Sequence, residues 1–357
     1  MEKTYLGWKE GGWTSKQTEY TEETPLLSAD GKLLTPGWAR HNVFTYNRNN
    51  VAPTIHRKEW DFYQISNGRF MVQLSFANIT FGGYVSAALI DLHEGKTVYN
   101  AAGFFAGGKD KYVPNAKGDV PNTFGAKIMG CEFLFDTHET YRTLYFKNKK
   151  VECSFRMDIP EGLENITTVL PFDGYDDRYF MTTKQMCMPT EGTYKLGDKV
   201  YNFSKEDTFT ALDWGRVCTP YKMVWYWGCG SKYVPGPDGK EHLFGFEITW
   251  GIGNEENATE TAIFWDGKAH KFGPVDVETF PKPDKFMEPW HFVSQDGRFD
   301  MTMKPFFDNH GDTNALVLRM HCHQVHGIWN GTVTLDDGTK VEIKDMYAFC
   351  EYCENRW

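Results

Sequence analysis

Short runs of alternating apolar and polar residues, each ended by Gly, Asp, Asn or Pro, occur throughout this sequence of 357 residues. Such runs are typical of half-buried β-strands, because successive side chains on a strand point to opposite sides of the sheet. One of them, Gly331–Ile343, predicts a hairpin with its turn at Asp337 and Gly338. No stretch of 12 or more residues keeps the apolar spacing of an amphipathic helix. The pattern therefore predicts an all-β chain of barrels or sandwiches with little helix.

The aromatic content and the charge narrow the function classes. Trp, Tyr and Phe number 12, 18 and 27, or 16% of the chain. This apolar surface excludes a disordered chain, and aromatic residues favour strands. The net charge of −10 argues against a nucleic-acid partner. The glycine-rich phosphate-binding motifs and the Gly-x-Ser-x-Gly elbow are both missing from the sequence, which argues against nucleotide binding and α/β-hydrolase chemistry.

The compartment is predicted from the beginning of the sequence and from one apolar segment. Residues 1–8 contain no apolar stretch of signal-peptide length, so we expect a cytoplasmic protein whose eight cysteines are reduced. Phe70–Ile90 holds 21 residues without a charge, about the length of a membrane span. Its polar residues and the pair Gly82 and Gly83 instead indicate two buried strands, and we expect no membrane span.

A weak internal repeat indicates two domains. Trp60 precedes the uncharged segment Phe70–Ile90, and Trp225, 165 residues later, precedes Phe244–Asn254, in which Glu247 is the only charge. Coincidence among aromatic strands is the alternative. We expect an N-terminal β domain over residues 1–210, of which residues 1–40 are an extension. A C-terminal β domain is expected over residues 211–357.

A family resemblance supports this organisation. Leu212-Asp-Trp-Gly-Arg216 and the following Trp225-Tyr-Trp-Gly resemble the central signature of an uncharacterised bacterial domain-of-unknown-function family. That family is related to the carotenoid 1,2-hydratase and AttH-like proteins. The resemblance implies two lipocalin-like β-barrels or sandwiches packed together. It also implies hydration, cyclisation or rearrangement of hydrophobic substrates without a redox cofactor, so we expect no cofactor.

The same signature contains the first candidate site. A carboxyl group buried beside aromatic rings tends to stay protonated, and a protonated Asp is the acid that alkene hydration or cyclisation needs. We therefore predict Asp213 as proton donor and Arg216 as its orienting partner, with Trp225 and Trp227 stabilising a developing cation. The alternative is an Asp–Arg ion pair that seals the junction between the two domains.

A histidine-rich strand is the second candidate site. On a strand, His321 and His323 point to one side and His326 to the other. Two imidazoles on one side could bind Zn²⁺ if a third ligand came from a neighbouring strand, or from the Cys350-x-x-Cys353 pair. We expect that no metal binds and that His321 and His323 form part of a pocket wall instead. If a metal does bind, these two histidines are its expected ligands.

The leading hypothesis is a lyase or isomerase that acts on an apolar or aromatic small molecule such as a terpenoid, polyphenol or steroid. His323 or His310 would act as base or polar anchor. Predicted substrate contacts are three tryptophans, a tyrosine and a glutamate: Trp225, Trp227, Trp250, Tyr63 and Glu351. A non-catalytic binding protein, a metal-dependent hydrolase and a carbohydrate-active protein remain as alternatives, and the sequence leaves the oligomeric state open.

Overall fold

The computed structural model describes four ranges of residues: 15–107, 111–277, 285–315 and 318–356. Antiparallel strands dominate these ranges, and the 3-10 turns Arg48–Asn50 and Thr54–His56 are the only helical elements in them. The prediction of an all-β chain is therefore confirmed. The first 14 residues of the predicted N-terminal extension lie outside the described ranges. Within these ranges, no helix has the length and apolar character needed to cross a membrane.

The first 15 strands form the N-terminal half. They are β1 (Thr24–Pro25), β2 (Gly37–Ala39), β3 (Phe44–Thr45), β4 (Arg57–Ser66), β5 (Phe70–Asn78), β6 (Gly82–Asp91), β7 (Lys96–Ala106), β8 (Asn122–Ile128), β9 (Cys131–Thr137), β10 (Tyr141–Lys147), β11 (Val151–Asp158), β12 (Ile166–Pro171), β13 (Tyr179–Leu196), β14 (Lys199–Phe203) and β15 (Phe209–Cys218). Thirteen of them form the first sheet, with the central order β7-β6-β5-β4-β15-β13-β11-β10-β9-β8.

The remaining nine strands form the second sheet, in the order β19-β18-β17-β16-β24-β23-β22-β21-β20. They are β16 (Lys222–Pro235), β17 (Glu241–Trp250), β18 (Glu260–Trp265), β19 (Lys268–Lys271), β20 (Val275–Val277), β21 (Trp290–Ser294), β22 (Phe299–Ala315), β23 (Leu318–Thr334) and β24 (Lys340–Arg356).

The two sheets have the same strand order in their central parts. In the first sheet β7, β6, β5 and β4 lie side by side and β4 pairs with β15; in the second, β19 to β16 lie side by side and β16 pairs with β24. Trp60 lies in β4 and Trp225 in β16, so the strand order agrees with the repeat that the sequence indicates. The change of sheet falls between Cys218 and Lys222. The division into domains at residues 210 and 211 stays a prediction.

The predicted turns and strand pairs are found where the sequence places them. The uncharged segment Phe70–Ile90 contains β5 and most of β6, which pair in antiparallel register. The turn at Asp337 and Gly338 joins β23 to β24. Gly338 has a φ of 86°, in the left-handed region that glycine adopts without steric cost.

Each sheet has its own apolar core, built by alternation along the strands. On β11, every second residue is buried and the others are exposed or half-buried; the buried ones are Val151, Cys153, Phe155 and Met157. The second core is more aromatic: Phe292 stacks on Trp329 with ring centroids 4.5 Å apart. Burying one such side chain contributes about 1.5–3 kcal/mol to folding.

A third layer, which we name the intersheet layer, lies where β13 and β15 of the first sheet pack against β16 and β17 of the second. Alternation along β16 separates its aromatic side chains. Tyr226 points into the second core and stacks on Trp250, with ring centroids 4.5 Å apart. Trp227 points the other way and contacts Phe62 of β4, with centroids 6.0 Å apart. The intersheet layer is therefore part apolar, and it also holds most of the polar groups described next.

Candidate functional site

Five ionisable side chains from both sheets meet in the intersheet layer, and we name them the intersheet cluster: Lys184, Asp213, Glu247, Glu260 and Glu351. Lys184 and Asp213 face each other across β13 and β15, and the Lys184 Nζ lies 3.3 Å from Asp213 Oδ1. The same Nζ lies 3.8 Å from Glu247 Oε1 and 3.9 Å from Glu260 Oε2. One ammonium group therefore lies within 4 Å of three carboxyl groups, and its charge also acts on the fourth, Glu351.

Neighbouring side chains bind the carboxyl groups of Glu247 and Glu260. Trp227 Nε1 donates to Glu247 Oε2 at 2.9 Å, and the Thr249 hydroxyl donates to Glu247 Oε1 at 2.9 Å. The Thr182 hydroxyl donates to Glu260 Oε1. The Lys184 ammonium also lies 4.0 Å from the centroid of the Trp227 ring, a cation–π contact. These contacts fix the cluster in one arrangement.

Glu351 of β24 forms the polar end of the intersheet cluster. Trp225 Nε1 donates to Glu351 Oε1 at 3.0 Å, and Gln324 Nε2 donates to Glu351 Oε2 at 3.3 Å. Gln73 of β5 donates in turn to Gln324 Oε1 at 2.7 Å and to Gln64 Oε1 at 3.2 Å. A chain of three glutamines therefore leads from β4 of the first sheet to Glu351 in the second.

Burial shifts the protonation of the cluster toward neutral carboxyl groups. Burial raises the pKa of Glu351 to about 7, and the Asp213 charge acts in the same direction while Trp225 and Lys184 oppose it. Burial likewise raises the pKa of Glu247 to about 8. Although burial disfavours its charge, the surrounding carboxyl groups hold the pKa of Lys184 above its usual value. The cluster therefore offers carboxylic acids that keep a proton near neutral pH.

Two oxygen atoms of the cluster are buried acceptors without a hydrogen-bond partner among the described residues, Asp213 Oδ1 and Glu260 Oε2. Both face Lys184, at 3.3 and 3.9 Å. The Asp213 side chain is 13% exposed, whereas Glu260 is fully buried. Of the two side chains, Asp213 is therefore the one that is partly in contact with solvent, although its Oδ1 atom is buried. The arrangement can donate a proton from one carboxyl group and accept one at another.

A cleft with a volume of about 460 Å³ opens beside the intersheet layer. Its wall includes Gln64, the first member of the glutamine chain, and the rings of Phe209 and Tyr233, whose centroids are 5.3 Å apart. None of the predicted site residues lines it, although all of them belong to the described part of the chain. The glutamine chain therefore links the wall of the cleft to Glu351 by hydrogen bonds.

Four of the predicted site residues come together in this layer: Asp213, Trp225, Trp227 and Glu351. Arg216 does not orient Asp213 as predicted. It donates to Asp61 Oδ1 at 2.7 Å and lies 4.1 Å from the centroid of the Trp214 ring. The reason is strand geometry, because residues three apart on β15 point to opposite sides of the sheet.

Tyr63 and Trp250 lie in the apolar cores. Tyr63 packs edge-on against Phe135 in the first core, with ring centroids 5.3 Å apart. Trp250 belongs to the second core, beside Tyr226. Each is next in sequence to a residue of the intersheet layer, Phe62 or Thr249, and therefore points away from that layer. Their predicted role as substrate contacts stays a prediction.

The predicted histidines form a separate group. His310 lies opposite His323 in the pairing of β22 with β23, and their rings stack with centroids 4.0 Å apart. His321 is on the same side, whereas His326 is buried elsewhere, with its Nδ1 2.8 Å from the Tyr347 hydroxyl. Burial lowers the pKa of His326 to about 3. Asp308, two residues before His310 on β22, contacts His323, with 2.7 Å between its Oδ2 and His323 Nδ1.

The cysteine prediction needs correction at one pair. Cys322 and Cys353 face each other across β23 and β24, with Cα atoms 4.2 Å apart, and the structure joins them in a disulfide. We expected all cysteines to be reduced; direct cross-strand pairing brings these two together. Cys350, three residues before Cys353, points the other way into the second core.

Sequence reasoning missed Lys184 and Glu247 as members of the site. For Glu260 the sequence predicts a solvated acidic loop, with a general base at a pocket rim as the alternative, and the structure instead buries it in β18. Each of the three is buried in a strand whose neighbours are apolar or uncharged. Glu247 gave a signal, as the only charge in Phe244–Asn254. A single charge within an otherwise uncharged buried strand indicates a partner elsewhere in the fold, because unpaired buried charges are costly.

Comparison with known proteins identifies a family. A family model described as Domain of unknown function (DUF2804) matches residues 17–357. No curated protein matches the chain at a significant level. The chain is similar to the crystal structure of an AttH-like protein from Nitrosomonas europaea, with 12% identity over 84% of this chain and 92% of that one, and a TM-score of 0.45. It is also similar to kievitone hydratase from Nectria haematococca, with 9% identity over 84% and 88% of the two chains and a TM-score of 0.45.

Proposed function

This chain belongs to the DUF2804 family, and we propose that it is a cofactor-independent lyase or isomerase whose reaction takes place at the intersheet cluster. The observation that carries the proposal is the pairing of two carboxyl groups in one aromatic layer. Burial raises the pKa of Glu351 to about 7, so that it carries its proton in about half of the molecules at that pH, and Asp213 faces the Lys184 ammonium at 3.3 Å. Carboxyl groups in such different environments are suited to act as acid and base.

Each residue of the layer has a distinct part in this proposal. Glu351 donates a proton to the substrate, and Asp213 accepts one or orients water. Lys184 holds Asp213 in place and is itself held over the Trp227 ring at 4.0 Å. Trp225 and Trp227 offer ring faces to an apolar or aromatic substrate and stabilise positive charge that develops on protonation. The substrate class is therefore a small molecule with an alkene, an alcohol or a ring that rearranges by proton transfer.

The second candidate function is non-catalytic binding of a small molecule in the cleft. The cleft volume of about 460 Å³ is within the range of ligand pockets. Its wall contains the rings of Phe209 and Tyr233 beside polar groups. In this case the ligand would be bound at the cleft and leave unchanged.

Solvent deuterium separates the two functions. The protein is incubated in D₂O, without added cofactor, with a panel of terpenoids, polyphenols and steroids, and the products are analysed by mass spectrometry. The proposed enzyme yields an isomer or a hydrated product with deuterium from the solvent bound to carbon, or a dehydrated product that is lighter by one water. Native mass spectrometry of the same mixtures completes the test. A panel member that is retained unchanged, with no deuterium on carbon, would show a binding protein instead.

The pH profile of the reaction tests Glu351 as the acid. A donor must carry its proton, so the active fraction falls as pH rises through the pKa of about 7. We expect kcat/KM measured between pH 5 and 9 to bend downward near pH 7 and then fall about tenfold per unit. A profile that stays flat to pH 9 would exclude Glu351 as the donor.

Replacement of Trp225 by phenylalanine is expected to move this bend upward. The Trp225 N–H binds Glu351 at 3.0 Å and lowers its pKa, so its removal raises the pKa further. A hydrogen bond of about 0.5–1.5 kcal/mol corresponds to a shift of roughly 0.4–1 pH unit. Trp265→Phe is the matched control, since Trp265 stacks on His242 outside the layer. A bend that moves equally in both variants would contradict the assignment.

A further inference from the structure

The hairpin of β22 and β23 places three histidines on one side of the second sheet. His310 lies opposite His323 in the antiparallel register, and His321 lies two residues from His323 on the same strand. Because side chains alternate along a strand, all three point to the same side. One ligand-capable atom from each histidine lies within 4.8 Å of the others. The third imidazole that the sequence left unidentified is therefore supplied by the neighbouring strand.

Two carboxylates of β22 support these imidazoles. Asp308 Oδ2 lies 2.7 Å from His323 Nδ1, which leaves the Nε2 of that ring available to a ligand. Asp312 Oδ2 lies 3.6 Å from His321 Nδ1. A carboxylate on the far nitrogen of an imidazole orients the ring and raises its basicity, as around many metal-bound histidines. The negative charge of the two carboxylates also favours a cation at this place.

The three histidines are accessible to solvent, and at least one of their rings is held in a fixed position. His310 is exposed, and the side chains of His321 and His323 are 20% and 12% exposed. The ring of Phe286 stacks on His323 with centroids 4.0 Å apart, which holds that imidazole in place. The group is therefore open to an ion from solvent.

We propose that His310, His321 and His323 form a binding site for a divalent transition-metal ion, with Zn²⁺ as the ion that the ligand set suits best. Three imidazoles are a ligand set that zinc accepts, and they leave a fourth position to water or to an exogenous ligand. The site lies on the opposite side of β23 from Gln324 and Glu351. It is therefore independent of the proposed acid–base reaction.

Calorimetric titration of the EDTA-treated, dialysed protein with Zn²⁺ tests this site. We expect one ion per chain, and a Co²⁺ titration that develops the visible absorption of a four-coordinate cobalt site. His321→Asn and His323→Asn should each weaken Zn²⁺ binding at least 100-fold. The control is His138→Asn, because His138 also contacts a carboxylate, Asp136 at 3.0 Å, but does not belong to the group of three histidines. That variant should bind as the wild type does.

Two further variants keep the test decisive. His310→Asn changes an exposed side chain, so it reports on the site even if a variant on β23 unfolds. Asp308→Asn removes the carboxylate from His323 and should weaken binding about 10- to 100-fold while one ion still binds. The proposal is wrong if the wild type takes up no Zn²⁺, or if His310→Asn, His321→Asn and His323→Asn, with unchanged circular dichroism, bind it as tightly as the control.

Discussion

Replacement of Glu351 by glutamine is expected to lower kcat by roughly 10²- to 10⁴-fold, the range that a positioned general acid contributes. Glutamine has nearly the same size and can still accept the hydrogen bond that Trp225 donates at 3.0 Å. It cannot deliver the proton that burial retains on Glu351 at neutral pH. The measurement is single-turnover kinetics with the substrate identified in the D₂O experiment, together with the thermal unfolding temperature to show that the fold persists.

Glu354→Gln is the matched control for this variant. Glu354 lies on the same strand, is partly exposed and contacts the Tyr352 hydroxyl outside the intersheet layer. It should leave kcat within about twofold of the wild type, since surface substitutions away from a site have small effects. If Glu351→Gln retains full activity while Asp213→Asn loses it, the donor is Asp213, as the sequence first indicated, and the role of Glu351 is refuted.

Replacement of Lys184 by methionine is expected to destabilise the protein by about 3–5 kcal/mol, because it leaves buried carboxyl groups without their cation. The Lys184 side chain is only 3% exposed and is the one cation within 4 Å of Asp213, Glu247 and Glu260 among the described residues. Methionine keeps much of the apolar volume, so the effect reports on charge more than on packing. Chemical denaturation at several pH values measures it.

The pH dependence of this loss has a definite sign. The pKa values of Glu247 and Glu351 are higher in the folded state than the unfolded value of 4.5. Such groups stabilise the folded state fully at pH values below 4.5, and this stabilisation is lost as the pH rises through the folded-state pKa. Without Lys184 the folded pKa values rise further, so the deficit should grow between pH 5 and 9. Lys195→Met, at an exposed position on the same strand, should cost less than about 0.5 kcal/mol. Equal losses in both variants would contradict the role of Lys184.

Local patterns were sufficient to predict the strands of this fold. The alternation and the turn at Asp337 and Gly338 depend on residues close in sequence, and the structure agrees with both. The pairing of Asp213 with Arg216 failed because nearness in sequence was taken for nearness in space. On a strand, an interval of three places two side chains on opposite sides, and each finds its partner on another strand, Lys184 or Asp61.

The contacts of the remaining site residues depend on the order of the strands in the sheets. The alternation of apolar and polar residues does not reveal this order. Lys184 meets Glu260 across 76 residues of sequence, and Trp225 meets Glu351 across 126. These contacts exist because β16 pairs with β24 and because the two sheets pack face to face. A single sequence contains no periodic signal for either event. His310 is the intermediate case, since a hairpin brings it opposite His323.

The distribution of charge across the intersheet layer has a consequence for how the two sheets are aligned. The first sheet contributes Lys184 and Asp213, and the second contributes Glu247, Glu260 and Glu351. A slide of one sheet over the other by two residues, about 7 Å, would leave an ammonium and several carboxyl groups facing apolar side chains. Such a misplaced ion costs several kcal/mol. The cluster thus determines how the two sheets are aligned. Apolar surfaces alone would allow many alignments of similar free energy, whereas the single lysine stabilises only one of them.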